Sequence, residues 1–327
     1  MPGQLEDQLV KYLTDAHAIE EQALVQLRRA PANAKDSELA AAFAEHLAET
    51  ERHEEIVRKR LEAHGAEPSA LKDLAMKAGG VGFVLFARAQ PDTPGKLTAH
   101  AYSYEHLELG AYELLLRIAE RAGDTDTAEA ARQILIDERR MARRLEACFS
   151  RAVSASLAAQ GVTDLGESLR RYLADAHAIE AQSVELLKRG PAMAGDPELA
   201  RLYEEHLAET REQQELVDER LAALGGSPSA LKDAALRLGA LHWGLFFRSQ
   251  PDTPGKLAAF AYAFEHLEIA AYEELRRVAE RARDEGTAEM ARRILAEERA
   301  AAAKLAAAVD RAAEASLQAK GVVTAGG

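Results

Sequence analysis

The chain has 327 residues, enough for one large domain or two ordinary ones, and a formal net charge of −13. Hydrophobic residues make up 47% but aromatics only 5%, a helix-favouring composition in which alanine, leucine, glutamate and arginine dominate. The acidic excess, spread over both halves, argues against a phosphate-backbone ligand or an anionic membrane surface, so neither nucleic acid nor membrane is an expected partner.

The opening "MPGQLEDQLV" has no basic segment leading into an apolar run, and no apolar stretch approaches the ~20 residues of a membrane helix. Cys148 is the only cysteine, so no intramolecular disulfide can form and a reducing cytoplasm is the expected compartment.

Along the chain, the first helical pattern runs from about residue 4 to 29 and stops near "RAPAN". A second starts at Asp36-Ser37 and ends before Gly65. The segment "SALKDLAMKAGGVGFVLFARAQ" is apolar but interrupted by glycine, and reads as a crossover helix. "PDTPGK" predicts an N-cap at Thr93 and a helix to about Arg121; after "GDTDT" a last helix covers about 126–158.

The series then repeats. "YLTDAHAIE" at 12 returns as "YLADAHAIE" at 172, "HLAET" at 46 returns at 206, and "QPDTPGKL" at 90 returns at 250, each after 160 residues. The chain is therefore one domain written twice, 1–160 and 161–327. It reads as all-α: two tandem ferritin-like four-helix bundles, each with an extra crossover helix. In the second of these, Trp243, Phe246 and Phe247 form a packing face.

Spacing by threes and fours selects the buried stripe of each helix. Helix one gives Leu13, His17, Glu20, Leu24 and Leu27, and helix two Leu39, Ala42, His46, Glu49, His53 and Ile56. The third long helix gives Ala101, Glu105, Glu108, Tyr112 and Leu115; the last gives Leu135, Glu138, Ala142, Leu145 and Phe149. Every stripe is apolar at its ends and acidic in the middle.

In an antiparallel bundle those middles meet. Glu20, Glu49, Glu105, Glu108 and Glu138 then surround one point, and Glu180, Glu209, Glu265, Glu268 and Glu298 surround another. Five carboxylates sharing an apolar interior are either largely protonated or neutralised by cations, since burying one unpaired charge costs several kcal/mol. The stripes contain no lysine or arginine, but His17, His46 and His53, with His177 and His206 in the second copy, add imidazole ligands. Oxygen and nitrogen donors without thiolate suit iron or manganese, with zinc also accommodated. The plainer alternative is a wet, inert acidic stripe. His106 and His266 lie one step off it, as hydrogen-bonding neighbours of the carboxylates or as surface groups, and Tyr112 and Tyr272 read as core residues.

"DAHAIEEQ", "EHLAETERH", "EHLELGAYE" and "LIDERR" resemble the ferritin-like proteins of the bacterial stress-associated YciE/YciF type, over nearly the whole of each copy. The resemblance implies a five-helix ferritin-like fold, a dimetal centre of the rubrerythrin sort and dimerisation. It supports Glu20, Glu49, His53, Glu105, Glu108 and Glu138 as ligands, with Glu180, Glu209, Glu265, Glu268 and Glu298 in the second copy. Fusion of two copies would reproduce the dimer as an intramolecular pseudo-dimer.

Departures from the usual pattern are visible. Carboxylate and imidazole three residues apart on two helices are the common dimetal arrangement. Here Arg52 stands three after Glu49 and Met141 three after Glu138, while the second copy replaces His53 by Gln213 and Met141 by Ala301. The second site is thus expected to be weaker or differently populated.

The expected function is a di-iron or di-manganese redox centre, two metals per repeat, acting on peroxide or dioxygen in stress protection. Glu108 or Glu138 would be the bridging carboxylate. With one cysteine the chain lacks a rubredoxin-like quartet, so its electron donor would be external. The alternative is a non-catalytic metal-binding or structural stress protein.

Overall fold

A computed structural model describes residues 2–70, 93–161, 164–227 and 252–322. Both expected crossover helices, with Trp243, Phe246 and Phe247, lie outside these residues. The described residues are all-α, and the chain divides between Gln160 and Gly161 into two compact units.

The first unit contains α1 (Pro2–Leu27), a single turn α2 (Ala30–Asn33), α3 (Ser37–Ala63), α4 (Thr93–Ala122) and α5 (Thr125–Ala159). Pro31 thus opens a short turn where the sequence predicts a plain break, its missing N–H being harmless at a helix start. The Asp36 carboxylate caps α3 by accepting from Leu39 N at 2.9 Å, and Asp124 caps α5 by accepting from Thr127 N at 3.0 Å.

The four long helices pack in a ring, α1 on α3, α3 on α5, α5 on α4 and α4 on α1. Side-chain pairs set their directions. Arg60 meets Asp124, His53 meets Asp137 and Arg151 meets Asp36, so α3 and α5 are antiparallel. The pairs His64–Glu6 and His17–Glu54 make α1 and α3 antiparallel, and the pairs Arg139–Glu113 and Arg132–Glu120 do the same for α4 and α5. It follows that α3 and α4 run parallel, which is why a long connection separates them. Leu13, Leu39, Leu115, Ile118, Ile134 and Phe149 fill the interior at the ends of the ring.

The second unit repeats this with α6 (Leu165–Leu187), a single turn α7 (Gly190–Met193), α8 (Pro197–Ala223), α9 (Thr253–Ala282), α10 (Glu285–Ala307) and α11 (Val309–Ala319). The cap of α9 falls on Asp252, one residue before the threonine that the sequence predicts. The last helix is broken where the first unit is continuous. In α5, Phe149 is fully buried with its ring 5.3 Å from that of Tyr102; the matching Val309 is only half-buried. Without that anchor the backbone tightens at Ala308, whose N–H bonds Leu305 O at 3.0 Å. Among the described residues no helix is long and apolar enough to cross a membrane.

Candidate metal centre

In the first unit the acidic middles of the four long helices do meet. His46 of α3, Glu105 and Glu108 of α4 and Glu138 of α5 bring one ligand atom each to within 4.8 Å of one another. Glu20 of α1, His53 of α3 and the same Glu138 form a second such group. Glu138 belongs to both: its Oε2 lies 3.6 Å from His46 Nε2 and its Oε1 2.8 Å from His53 Nδ1. His46 Nε2 is also 3.1 Å from Glu105 Oε2, and His53 Nδ1 3.9 Å from Glu20 Oε1.

These are close approaches without hydrogen-bond alignment. His46 Nε2, His53 Nδ1, Glu105 Oε2, Glu20 Oε2 and both carboxylate oxygens of Glu108 and Glu138 are buried with no hydrogen-bond partner. Leaving that many buried polar atoms unpaired is costly unless something accepts their lone pairs. Hard and borderline donors converging on one point fit a divalent cation of the iron, manganese or zinc kind.

The outer nitrogens are occupied. His46 Nδ1 contacts Glu49 Oε2 at 3.2 Å and His53 Nε2 contacts Asp137 Oδ2 at 3.2 Å. Arg140 donates to the other oxygen of Glu49 at 2.5 Å, and Tyr112 OH donates to Glu20 Oε1. With protons on the outer nitrogens, the inner ones present lone pairs to the centre.

Without metal, protons carry the compensating charge. Burial pushes the Glu20 carboxyl up to about 7 and that of Glu105 to about 8, and burial with neighbouring carboxylates holds Glu108 well above its ordinary value. Burial would depress both imidazoles, but Glu105 and Glu138 hold His46 well above its ordinary value, and Glu138 and Glu20 bring His53 to about 9. Burial would raise Glu138 too, but charged His46 and His53 override it and hold this carboxyl below its usual range.

The family described as a domain of unknown function (DUF892) matches residues 4–158 and again 164–318. The chain belongs to that family, once in each unit. No solved structure matches it.

The second DUF892 unit rebuilds only part of this arrangement. His206, Glu265, Glu268 and Glu298 bring ligand atoms within 4.8 Å of one another, with His206 Nε2 2.9 Å from Glu265 Oε2 and 3.6 Å from Glu298 Oε2. Glu180 is fully buried and accepts from Tyr272 OH, as Glu20 does from Tyr112. At the position of His53, Gln213 donates through Nε2 to Glu297 at 3.1 Å, leaving its buried Oε1 without a partner. Burial and the neighbouring carboxylates push Glu298 well above its ordinary value, the reverse of Glu138.

Of the residues read from the sequence, five therefore sit outside these groups, Glu180 beside Tyr272 among them. Glu49 and Glu209 lie at the edge and contact the outer nitrogen of His46 and His206, at 3.2 and 3.3 Å. His17 sits apart with Glu54, at 3.1 Å, and Glu21, and His177 meets Asp218 at 3.1 Å. His106 is buried, with its Nδ1 2.7 Å from Tyr102 O, and His266 repeats this at Tyr262 O. Sequence reasoning missed Asp137 and Arg140, which lie on the flank of α5 that periodicity assigns to solvent. The one signal for Asp137 is that position 137 remains acidic, as Glu297, where His53 becomes Gln213.

Proposed function

We propose that the first unit is a ferritin-like dimetal-carboxylate centre holding two iron or manganese ions, and that it acts on peroxide or dioxygen in protection against oxidative stress. The observation that carries this reading is Glu138, the one carboxylate shared by two groups of buried ligand atoms. A metal pair bound there supplies two-electron redox chemistry toward a small oxidant.

The chain's own residues prepare the site. Asp137 and Glu49 orient the two imidazoles, Tyr112 fixes the Glu20 carboxylate, and the ring of helices keeps bulk water away. Glu105 and Glu108 surrender their protons as cations enter, so uptake releases protons and strengthens with rising pH. The likeness to YciE/YciF-type proteins supports the same reading.

A second reading, a metal-holding protein without turnover, is favoured by closure: Glu20, His46, His53, Glu105, Glu108 and Glu138 are each at most 3% exposed. Anaerobic loading of the full chain with Fe²⁺, followed by peroxide, separates the two. The redox reading expects stoichiometric iron and an absorption change on oxidation that Glu138→Gln abolishes. Stoichiometric iron with no spectral response gives the non-catalytic reading, and no uptake above background overturns both.

A further inference from the structure

We infer that the two units carry unequal metal complements, two ions in the first and one in the second, so that the chain binds three. This rests on the metal-site reading above and adds to it the number and placement of the ions.

Glu105, Glu108 and Glu138 with His46 have complete counterparts in Glu265, Glu268 and Glu298 with His206, so each unit has one four-ligand position. Among the described residues, the position formed by Glu20, His53 and Glu138 has no such counterpart. Glu180 and Glu298 are present and buried, but the nitrogen ligand is gone.

Gln213 does not replace it. An imidazole presents a basic lone pair from one nitrogen while the other nitrogen is anchored; a carboxamide anchored through its NH₂ presents only a neutral carbonyl oxygen. Gln213 is held in that orientation by Glu297. A neutral carbonyl oxygen thus replaces a basic nitrogen, and because Glu298 is already shared with the neighbouring position, Glu180 is the only carboxylate left to this one, a weak three-oxygen set.

Among the ligands, the change is confined to that one. Tyr272 bonds Glu180 as Tyr112 bonds Glu20, and the contact from position 53 to 137 persists from 213 to 297. A single substitution therefore converts one unit's complement into the other's.

The test is Mn²⁺ binding by the full chain, read as bound metal after gel filtration and as electron paramagnetic resonance. The wild type is expected to bind three ions, giving a spin-coupled pair together with an isolated six-line signal. His53→Gln should lower the count to two and remove the coupled signal. Gln213→His should raise it to four and replace the isolated signal by a second coupled pair. Because each variant copies the residue of the other unit, both are expected to fold, and circular dichroism checks this. Four ions in the wild type, two ions in the wild type, or three ions unmoved by either substitution overturn the inference while leaving a metal protein. No bound Mn²⁺ in any variant overturns the underlying site reading instead.

Discussion

The two units share the caps and ion pairs of the frame but differ at one ligand of the centre and at residues packed beside it. In the frame, Arg60 grips Asp124 and Thr127 as Arg220 grips Asp284 and Thr287, and Ser156 accepts from Gly95 N at 2.8 Å as Ser316 does from Gly255 N at 2.7 Å. At the centre, His53 becomes Gln213, Ala23 becomes Ser183 and Met141 becomes Ala301. The frame determines whether a bundle forms at all, whereas the ligands cost stability when no cation neutralises them. A ligand can therefore change in one copy without loss of the fold, as His53 has to Gln213.

The largest expected contrast is between metal-free and metal-loaded protein across pH. Glu20, Glu105 and Glu180, at about 7, 8 and 8, have folded-state values above those of the unfolded chain. Such groups leave stability intact below about pH 4.5 and remove it as pH rises through 7 to 8. His53 acts in the same direction, its contribution being lost as pH rises from the ordinary imidazole value through about 9. The melting temperature of the metal-stripped chain should fall steadily from pH 5 to pH 9. Metal loading should flatten or reverse that slope, and parallel slopes in calorimetry would refute cation compensation.

Next comes the frame. Asp124→Ala removes an N-cap, the bidentate partner of Arg60 and the 2.7 Å contact of His64, at an expected cost of about 2–3 kcal/mol to the first unit. In the second unit Leu224 stands in place of His64, so Asp284→Ala should cost less. Urea denaturation of the two variants measures the difference, and a larger loss from Asp284→Ala would contradict it.

A third contrast concerns core volume. Fully buried Ala42 and Met141 in the first unit correspond to Leu202 and Ala301 in the second, an exchange of large and small across the same pair of helices. Leu202 and Ala301 line one cavity of about 10 Å³ beside His206 and Glu265. Ala301→Met alone overfills that space and is expected to cost about 1–3 kcal/mol. Adding Leu202→Ala should recover much of it, and strict additivity of the two changes would show that the positions do not compensate.

The helices were legible because capping aspartates and glycine-proline punctuation mark their ends, and the duplication because its spacing is constant. Six of the central ligands were legible from the stripe: Glu20, His46, His53, Glu105, Glu108 and Glu138. Alternating threes and fours fit 46, 49, 53 as well as 46, 50, 53, and so point Glu49 inward. The interior position belongs to Thr50, fully buried with its hydroxyl donating to His46 O, and a threonine does not announce itself as core. The same ambiguity of spacing points Ile56 inward where Val57 is the buried residue. His17 is on the correct face but one turn from the cluster. Periodicity gives the angle of a side chain about its helix, whereas axial depth depends on how neighbouring helices slide, and that was not visible.

The smallest contrast lies under α7. Ala30 begins its turn against the fully buried side of the first bundle, where position 43 is phenylalanine; the second unit has Gly190 and Tyr203. A Cβ on Gly190 would meet Tyr203 Cγ at 3.0 Å and Cδ2 at 3.1 Å, so the ring must yield by a few tenths of an ångström. Against that crowding, alanine in place of helical glycine gains about 0.5–1 kcal/mol in backbone entropy. Gly190→Ala alone should therefore shift stability by less than about 1 kcal/mol. The Tyr203 hydroxyl is buried with no hydrogen-bond partner among the described residues, so Tyr203→Phe removes an unsatisfied group and should be neutral or stabilising. The double variant restores the Ala30–Phe43 pairing of the first unit and is expected to exceed wild type in urea midpoint. A double variant less stable than Gly190→Ala alone would show that the tyrosine hydroxyl has a partner the frame supplies only to the second unit.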